Sequence, residues 1–142
     1  MLTEIEAQLL RQHVEAGYNI LKGVEFPWPV AQAVLQHHER LDGSGYPQGL
    51  FGDTILPEAK VLAVADVVDS MMGRRPYREP LGLDAAMHEI ESEQGKLYDP
   101  AVVKACAALF RQGGFSFDEV GPACVWSPGQ VRAVGSHPAA SA

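Results

Sequence analysis

The sequence predicts an all-helical protein, a bundle of about five α-helices. Apolar residues recur at helical spacing in several segments, and the ends of these segments carry the acidic, proline and glycine residues that are typical of helix starts and stops. The 142 residues, of which 46% are hydrophobic, are sufficient for one domain with a buried core. Because amphipathic helices bury their apolar faces against one another, the expected fold class is all-α, a helical bundle.

The first two predicted helices cover residues 3–22 and 29–39. Thr3 and Glu6 have the spacing of a capping box, and residues suited to one helix face recur at every fourth position after them. Pro29 is typical of the first position of a helix, and apolar residues on one face follow it. The second helix is therefore expected to carry two adjacent histidines at its end.

A long connection and three more helices follow. Glycine, serine and proline between residues 40 and 54 exclude any regular element longer than a turn, and a loop of this length is typical of a functional segment. The next segment, residues 57–72, is apolar on nearly every face, which predicts a helix at the centre of the bundle. Two further helices are predicted over residues 83–94 and 99–112.

The carboxy-terminal part, residues 115–142, is rich in glycine, proline, serine and alanine and has no clear periodicity. We therefore expect one helical domain over residues 1–114, followed by an irregular extension with a disordered end. Cys106 and Cys124 lack the spacing of a metal-binding pair. A reduced pair is expected, with a single disulfide as the alternative.

The overall charge limits the classes of partner. A net charge of −7 disfavours long nucleic acids and anionic membranes, so an anionic ligand requires a local basic cluster. No apolar run reaches the roughly 18 residues of a membrane span, and the acidic amino terminus is unlike a secretory signal. A cytoplasmic location is the expectation that follows.

Four polar residues form a candidate transition-metal set: His13, His37, His38 and Asp66. His13 and His37 lie on the apolar faces of their helices and Asp66 lies in the most hydrophobic helix, so we expect them to point inward, where one cation would satisfy them together. Imidazole and carboxylate donors suit iron, manganese, zinc or nickel. The alternative for the histidines is that they are hydrogen-bonded residues of the core. The alternative for Asp66 and Asp69 is that they form a polar strip on one face of the helix, a structural role that suits Asp69 better than Asp66.

A basic cluster follows the third helix: Arg74, Arg75 and Arg78, interrupted by Pro76 and Tyr77. Arginine donates paired hydrogen bonds to phosphate, and Tyr77 is placed to stack on a base. Only a short segment joins this cluster to the metal set, so a metal that activates water and arginines that hold a phosphate would face one cleft, as phosphodiester hydrolysis requires. A solvated run of charges is the alternative.

The segment HHERLDGSGYP, residues 37–47, resembles the HHExxDGxGYP signature of HD-GYP domains, bacterial metal-dependent phosphodiesterases that hydrolyse the second messenger cyclic di-GMP. The resemblance extends over about residues 2–110, from LTEIEAQLLRQHVEAGYNIL through KVLAVADVVDSMMGRRPYR to YDPAVVKACAALF. It implies an HD-type bundle, iron or manganese as the metal with zinc or nickel as alternatives, one or two ions, and cyclic di-GMP or a related nucleotide as substrate. The metal ligands that it implies are His13, His37, His38 and Asp66. It also implies that Gly45, Tyr46 and Pro47 form a substrate-side loop, which in some members of the family contacts protein partners, and that Arg75 and Arg78 lie near the substrate phosphates. Asp69 is predicted as a further residue on the substrate side.

One departure concerns the His-Asp doublet for which the family is named, since no His-Asp pair occurs in this sequence. In the family, the doublet supplies further metal ligands, among them a bridging aspartate. The resemblance therefore implies a partial domain over residues 1–114, weakly active or inactive by itself, that holds one metal ion loosely or none. Three explanations are consistent with the missing doublet. The chain is a part of a longer enzyme, a short gene product that has lost the pair, or a subunit that completes its site by association.

Two function classes follow from these observations. The first is a metal-dependent phosphodiesterase that acts on cyclic di-GMP. The second is a catalytically degenerate module that binds a nucleotide or a protein partner in cyclic di-GMP signalling. A partial bundle would leave apolar faces near Ile5, Leu9 and the third helix without partners, so self-association as a dimer is also expected.

Overall fold

The computed structural model describes residues 4–73 and 80–112, with side chains from residue 11 onward. Five α-helices account for most of this part of the chain, which confirms the all-helical prediction. The same residues form one short 3₁₀ helix and two isolated β-bridges, and none of them lies in a strand. The helices are α1 (Glu4–Leu21), α2 (Val30–Gln36), α3 (Pro57–Met72), α4 (Leu83–Ser92) and α5 (Pro100–Gln112), and the 3₁₀ helix is Gly52–Thr54.

Several expectations lie outside the described residues. These are the Thr3 cap, the basic cluster at residues 74–78, the extension over residues 115–142 with Cys124, and the side chains of Ile5 and Leu9. Cys106 is a free thiol. Across residues 4–73 and 80–112, no helix combines the length and the apolar composition needed to cross a membrane.

The helix bounds agree with the predicted bounds to within two residues, except at the end of α2. This helix ends at Gln36, three residues earlier than predicted, and His37 caps it with φ −66° and ψ −14°. The Glu39 N–H then donates to the Gln36 carbonyl oxygen at 2.8 Å, an i to i+3 bond that closes a tighter turn than an α-helix. The histidine pair therefore lies in a turn after the helix, and its predicted place within the helix was wrong.

The core is built around α3, which contacts α2, α4 and α5 as expected of a central helix. However, one face of α3 is open, with Val61 53% exposed and Leu62 40% exposed. The apolar residues around α3 predicted burial on nearly every side, whereas the described helices cover only part of its surface. The larger buried residues that pack together in this core are Val64, Val68, Met87, Ile90, Tyr98 and Val103.

Helices α1 and α2 approach each other closely where Gly17 meets Val34. A Cβ atom at Gly17 would lie only 2.9 Å from Val34 Cγ1, so a larger residue would push the helices apart. Val14 on α1 is fully buried. Its neighbour His13 lies about 100° further round the helix and faces the turn that follows α2.

Candidate metal centre

Three histidines from two segments of the chain meet beside the end of α2. Helix α1 carries His13, and the turn after α2 carries His37 and His38. One ring nitrogen of each histidine lies within 4.8 Å of those of the other two. The Nε2 atoms of His13 and His38 are 3.2 Å apart. The structure thus brings together three of the four predicted metal ligands.

The geometry of this three-histidine cluster fits a metal ion. Two nitrogen ligands that each bind one ion at about 2.0–2.1 Å are separated by roughly 2.9–3.4 Å, depending on the coordination angle. The 3.2 Å between the His13 and His38 Nε2 atoms falls within this interval. The His37 Nδ1–H donates to the Val34 carbonyl oxygen at 2.6 Å, which leaves the His37 Nε2 lone pair for a ligand. Metal-binding histidines are commonly oriented by this kind of backbone contact.

The protonation state of His38 is also suited to metal binding. Burial, and after it the neighbouring charge of His37, lowers the pKa of the His38 imidazole from 6.5 to about 4. The charge of Asp66 acts in the opposite direction and raises this pKa. At neutral pH, His38 is therefore uncharged, which is the form in which an imidazole nitrogen binds a metal.

Asp66, the fourth predicted ligand, lies beside the cluster. Together with His37, Val34 and Asp69 it lines an open pocket of about 350 Å³. Its carboxylate oxygens do not belong to the group of ligand atoms that lie within 4.8 Å of one another, which among the described residues holds the three histidines. The structure therefore places Asp66 close enough for its charge to act on His38, but outside the cluster itself.

The expectation that these side chains point inward was wrong for His13 and Asp66, which are exposed, while His37 is half-buried. On α3, the buried face is set by residues such as Val64 and Val68. Asp66 lies two positions from each of them, about 200° round the helix, and so faces solvent. Water can hydrate such a carboxylate, so its presence in an apolar helix does not require a cation. The convergence of the histidine nitrogens is the observation that indicates a metal site.

Sequence reasoning missed Glu39, which fixes the loop that follows the histidine pair. This glutamate is only 2% exposed. One carboxylate oxygen accepts the backbone N–H of Gln48 at 2.7 Å, and the other accepts the N–H of Leu50 at 2.9 Å. Both hydrogen bonds are charge-assisted, so they compensate for the burial of the carboxylate. The signals in the sequence were the fixed glutamate of the HHExxDGxGYP signature, to which no role was given, and the glycine-rich loop after it, whose backbone N–H groups need acceptors.

The substrate-side loop predicted from the GYP motif packs directly against the histidine pair. A Cβ atom at Gly45 would lie 2.5 Å from both the Arg40 nitrogen and the His38 carbonyl oxygen, so only glycine fits at this position. The Tyr46 N–H donates to the same His38 oxygen at 3.3 Å, and the Tyr46–Pro47 peptide bond is cis. The Tyr46 ring stacks on the His38 ring, with their centroids 4.8 Å apart and an interplanar angle of 27°.

A second residue that the sequence reasoning missed is Arg11. Its guanidinium carbon lies 5.4 Å from the centroid of the Tyr46 ring, in a cation–π contact. Arg11 and His13 are two positions apart on α1, a spacing that places them on different helix faces, so helical periodicity alone would not group them. The arginines that the sequence did indicate, Arg75 and Arg78, lie outside the described residues.

Comparisons with known proteins agree with the motif. The family model described as an HD domain matches residues 1–102. The chain is 44% identical to the cyclic di-GMP phosphodiesterase response regulator RpfG of Xanthomonas campestris over 106 residues, 73% of this chain and 28% of that protein. It is also 44% identical to a cyclic di-GMP phosphodiesterase of Thermotoga maritima over 114 residues, 79% of this chain and 31% of the relative. A 3'3'-cGAMP-specific phosphodiesterase of Vibrio cholerae is 34% identical over 101 residues, 70% of this chain and 19% of the relative. The chain thus spans less than a third of the length of these relatives.

Proposed function

The chain belongs to the HD domain family and is of the HD-GYP type, and from this membership we propose that its three-histidine cluster is the metal site of a phosphodiesterase that hydrolyses cyclic di-GMP. The observation that carries the proposal is the convergence of His13, His37 and His38. Relatives named for cyclic di-GMP or for 3'3'-cGAMP support a cyclic dinucleotide as the substrate. Cyclic di-GMP is favoured because the two relatives with 44% identity are named for it.

We propose iron or manganese as the metal, with zinc or nickel as alternatives, because imidazole nitrogens with a nearby carboxylate suit these ions. His13, His37 and His38 would hold the ion, and Asp66 is the proposed source of the carboxylate. A bound ion of this kind lowers the pKa of a water molecule and polarises a phosphoryl oxygen. Three imidazoles are sufficient for one ion, and we expect one ion rather than a closely spaced pair.

The other residues of the site would position the ligands and the substrate. Glu39 and Gly45 hold the loop against the turn that carries His37 and His38, so these rings are oriented before a ligand arrives. Tyr46 and Pro47 shape the substrate side of the site. The remaining residues proposed to act on the substrate side are Asp69, on the pocket beside Asp66, and Arg75 and Arg78, as phosphate-binding groups.

We expect the chain, loaded with Fe(II) or Mn(II), to cleave cyclic di-GMP slowly but measurably above a sample stripped of metal with a chelator. The rate should be low, because one ion supplies only part of the charge stabilisation that a two-metal site provides. Chromatographic separation of the linear and cyclic nucleotides measures the reaction. The absence of any cleavage by a chain that contains one equivalent of metal would exclude the proposal.

The same experiment tests the second candidate function, a degenerate module that binds a nucleotide or a protein partner. Among the described residues, the converging groups are three imidazoles without a carboxylate, and this favours the alternative. Binding of cyclic di-GMP without cleavage, at full metal occupancy, would assign the chain to it. A protein partner is proposed to contact the loop that contains Tyr46 and Pro47, which adjoins the histidines.

We also propose that the chain forms a dimer through an apolar groove between α2 and α3. This groove, of about 400 Å³, is lined by Trp28, which is 68% exposed, and by Val61 and Leu62. Large exposed apolar groups of this kind favour association. We expect sedimentation equilibrium to detect a dimer, and Val61→Lys to raise its dissociation constant by at least about tenfold, because association would bury a charge. The matched control is Leu109→Lys, at an exposed apolar position outside the groove. A monomer at all concentrations, or an equal effect of both variants, would contradict the proposal.

A further inference from the structure

The guanidinium group of Arg11 lies against the Tyr46 ring, which in turn stacks on His38 of the three-histidine cluster. Its carbon atom is 5.4 Å from the Tyr46 ring centroid, and the centroid of this ring is in turn 4.8 Å from that of His38. Arg11 itself is exposed and lies two residues before His13 on α1. The positive charge of Arg11 therefore lies beside Tyr46, whose ring connects it to the candidate metal centre.

Among the residues whose side chains the structure describes, none pairs with the hydrogen-bond donors of Arg11. A cation–π contact uses the face of the guanidinium, whereas its five N–H groups lie in the plane and point outward. The structure describes the side chains of three arginines, and the other two have partners. Arg40 donates to the carbonyl oxygens of His37 and Glu39, at 3.3 and 2.9 Å, and Arg111 pairs with Glu91 at 2.8 Å. No ion pair joins Arg11 to any described carboxylate.

Position and charge together indicate an anionic ligand. The chain has a net charge of −7, so its overall field repels anions, and only a local cation can hold one at the site. Arginine is well suited to phosphate because its planar fork donates two parallel hydrogen bonds. The contact with Tyr46 also restrains the arginine side chain, which reduces the entropy that it would lose on binding.

We propose that Arg11 binds a phosphodiester group of the substrate at the three-histidine cluster; the identity of that substrate as cyclic di-GMP rests on the proposed function. In this role Arg11 holds a phosphate, while the histidines hold the metal. The alternative is a purely structural role, in which Arg11 fastens the loop to α1 through the Tyr46 ring.

Arg11→Ala and Arg11→Lys, each compared with Lys22→Ala, separate these two roles. Lys22 makes the same kind of cation–π contact, with its ammonium nitrogen 5.8 Å from the centroid of the Tyr18 ring, but near the end of α1 and away from the histidines. The dissociation constants of cyclic di-GMP, bis(4-nitrophenyl) phosphate and inorganic phosphate are measured on the metal-loaded chain. Metal content and thermal unfolding are measured in parallel.

We expect Arg11→Ala to weaken the binding of each phosphate ligand by about ten- to hundredfold, since hydrogen bonds to a charged group are lost. Metal content should stay unchanged, Arg11→Lys should recover part of the affinity, and Lys22→Ala should bind as the unaltered chain does. Unchanged affinity of Arg11→Ala for all three ligands would overturn the proposal. So would a loss of metal or of stability that accounts for the weaker binding and that lysine does not restore.

The outcomes distinguish this proposal from the proposed function. If the unaltered chain cleaves cyclic di-GMP and Arg11→Ala binds it equally well, the role of Arg11 is excluded and the function stands. If the chain binds bis(4-nitrophenyl) phosphate or inorganic phosphate through Arg11 but does not bind cyclic di-GMP, the role of Arg11 stands and the proposed substrate is excluded. A chain that binds none of the three ligands excludes both.

Discussion

His38→Ala is expected to lower the affinity of the chain for a transition metal by at least about a hundredfold. Changes to residues that merely orient a metal ligand cost ten- to a hundredfold in affinity, and removal of a ligand should cost at least as much as the upper value. The variant lacks the Nε2 atom that lies 3.2 Å from that of His13, and it leaves two imidazoles at the site. Calorimetric titration with Mn(II), together with elemental analysis of the purified protein, measures the effect.

The control for this variant is His88→Ala, which removes an exposed histidine from α4. It should bind metal as the unaltered chain does. Circular dichroism of both variants shows whether the fold is retained, since His38 is half-buried and its truncation also removes packing. Equal metal affinity of His38→Ala and the unaltered chain would exclude the three-histidine cluster as the metal site.

Gly45→Ala is expected to lower the free energy of unfolding by about 1–3 kcal/mol, the usual cost of inserting a methyl group into a closely packed site. The new Cβ atom would lie 2.5 Å from the Arg40 nitrogen and the His38 oxygen. Both are backbone atoms, so relief of the clash must move the loop away from the turn that carries the histidine pair. Urea unfolding measures the stability, and a parallel titration with Mn(II) should show weaker binding because His38 is displaced.

Gly23→Ala is the matched control for Gly45→Ala. No atom lies within 4 Å of the position that a Cβ atom would take at Gly23. This substitution should therefore leave stability unchanged or raise it by a few tenths of a kcal/mol, because alanine restricts the unfolded chain. If Gly45→Ala matched Gly23→Ala in stability, the close contact of the loop with the turn would be contradicted.

The helices could be predicted from the sequence because their signals are local. The bounds of α3 agree with the apolar run that begins at Pro57. The end of α2 could not be predicted in this way, since the turn that closes it is stabilised by Glu39, whose partners Gln48 and Leu50 lie nine and eleven residues further along the chain. Helical periodicity contains no information about such a contact.

Those parts of the candidate site that depend on residue type and on a sequence motif could be predicted. The parts that depend on which side chains are buried could be predicted less well. The histidines at 13, 37 and 38 were named from the sequence, and the structure brings them together. The burial argument for Asp66 failed because an apolar helix packs against its neighbours on only part of its surface. Arg11 was missed because its contact with Tyr46 joins residues 35 positions apart in the chain.

If His38 binds a metal ion, the buried carboxylate of Glu39 would couple metal binding to the conformation of the loop that follows. It binds the loop through Gln48 and Leu50, and the preceding residue in the chain is His38, a candidate ligand. A molecule that favoured one arrangement of the loop would then change the metal affinity, and by thermodynamic reciprocity the metal would change the affinity for that molecule by the same factor. The affinity of a partner that binds residues 45–50 would thus depend on whether the histidines hold a metal ion, although the partner does not contact the ion.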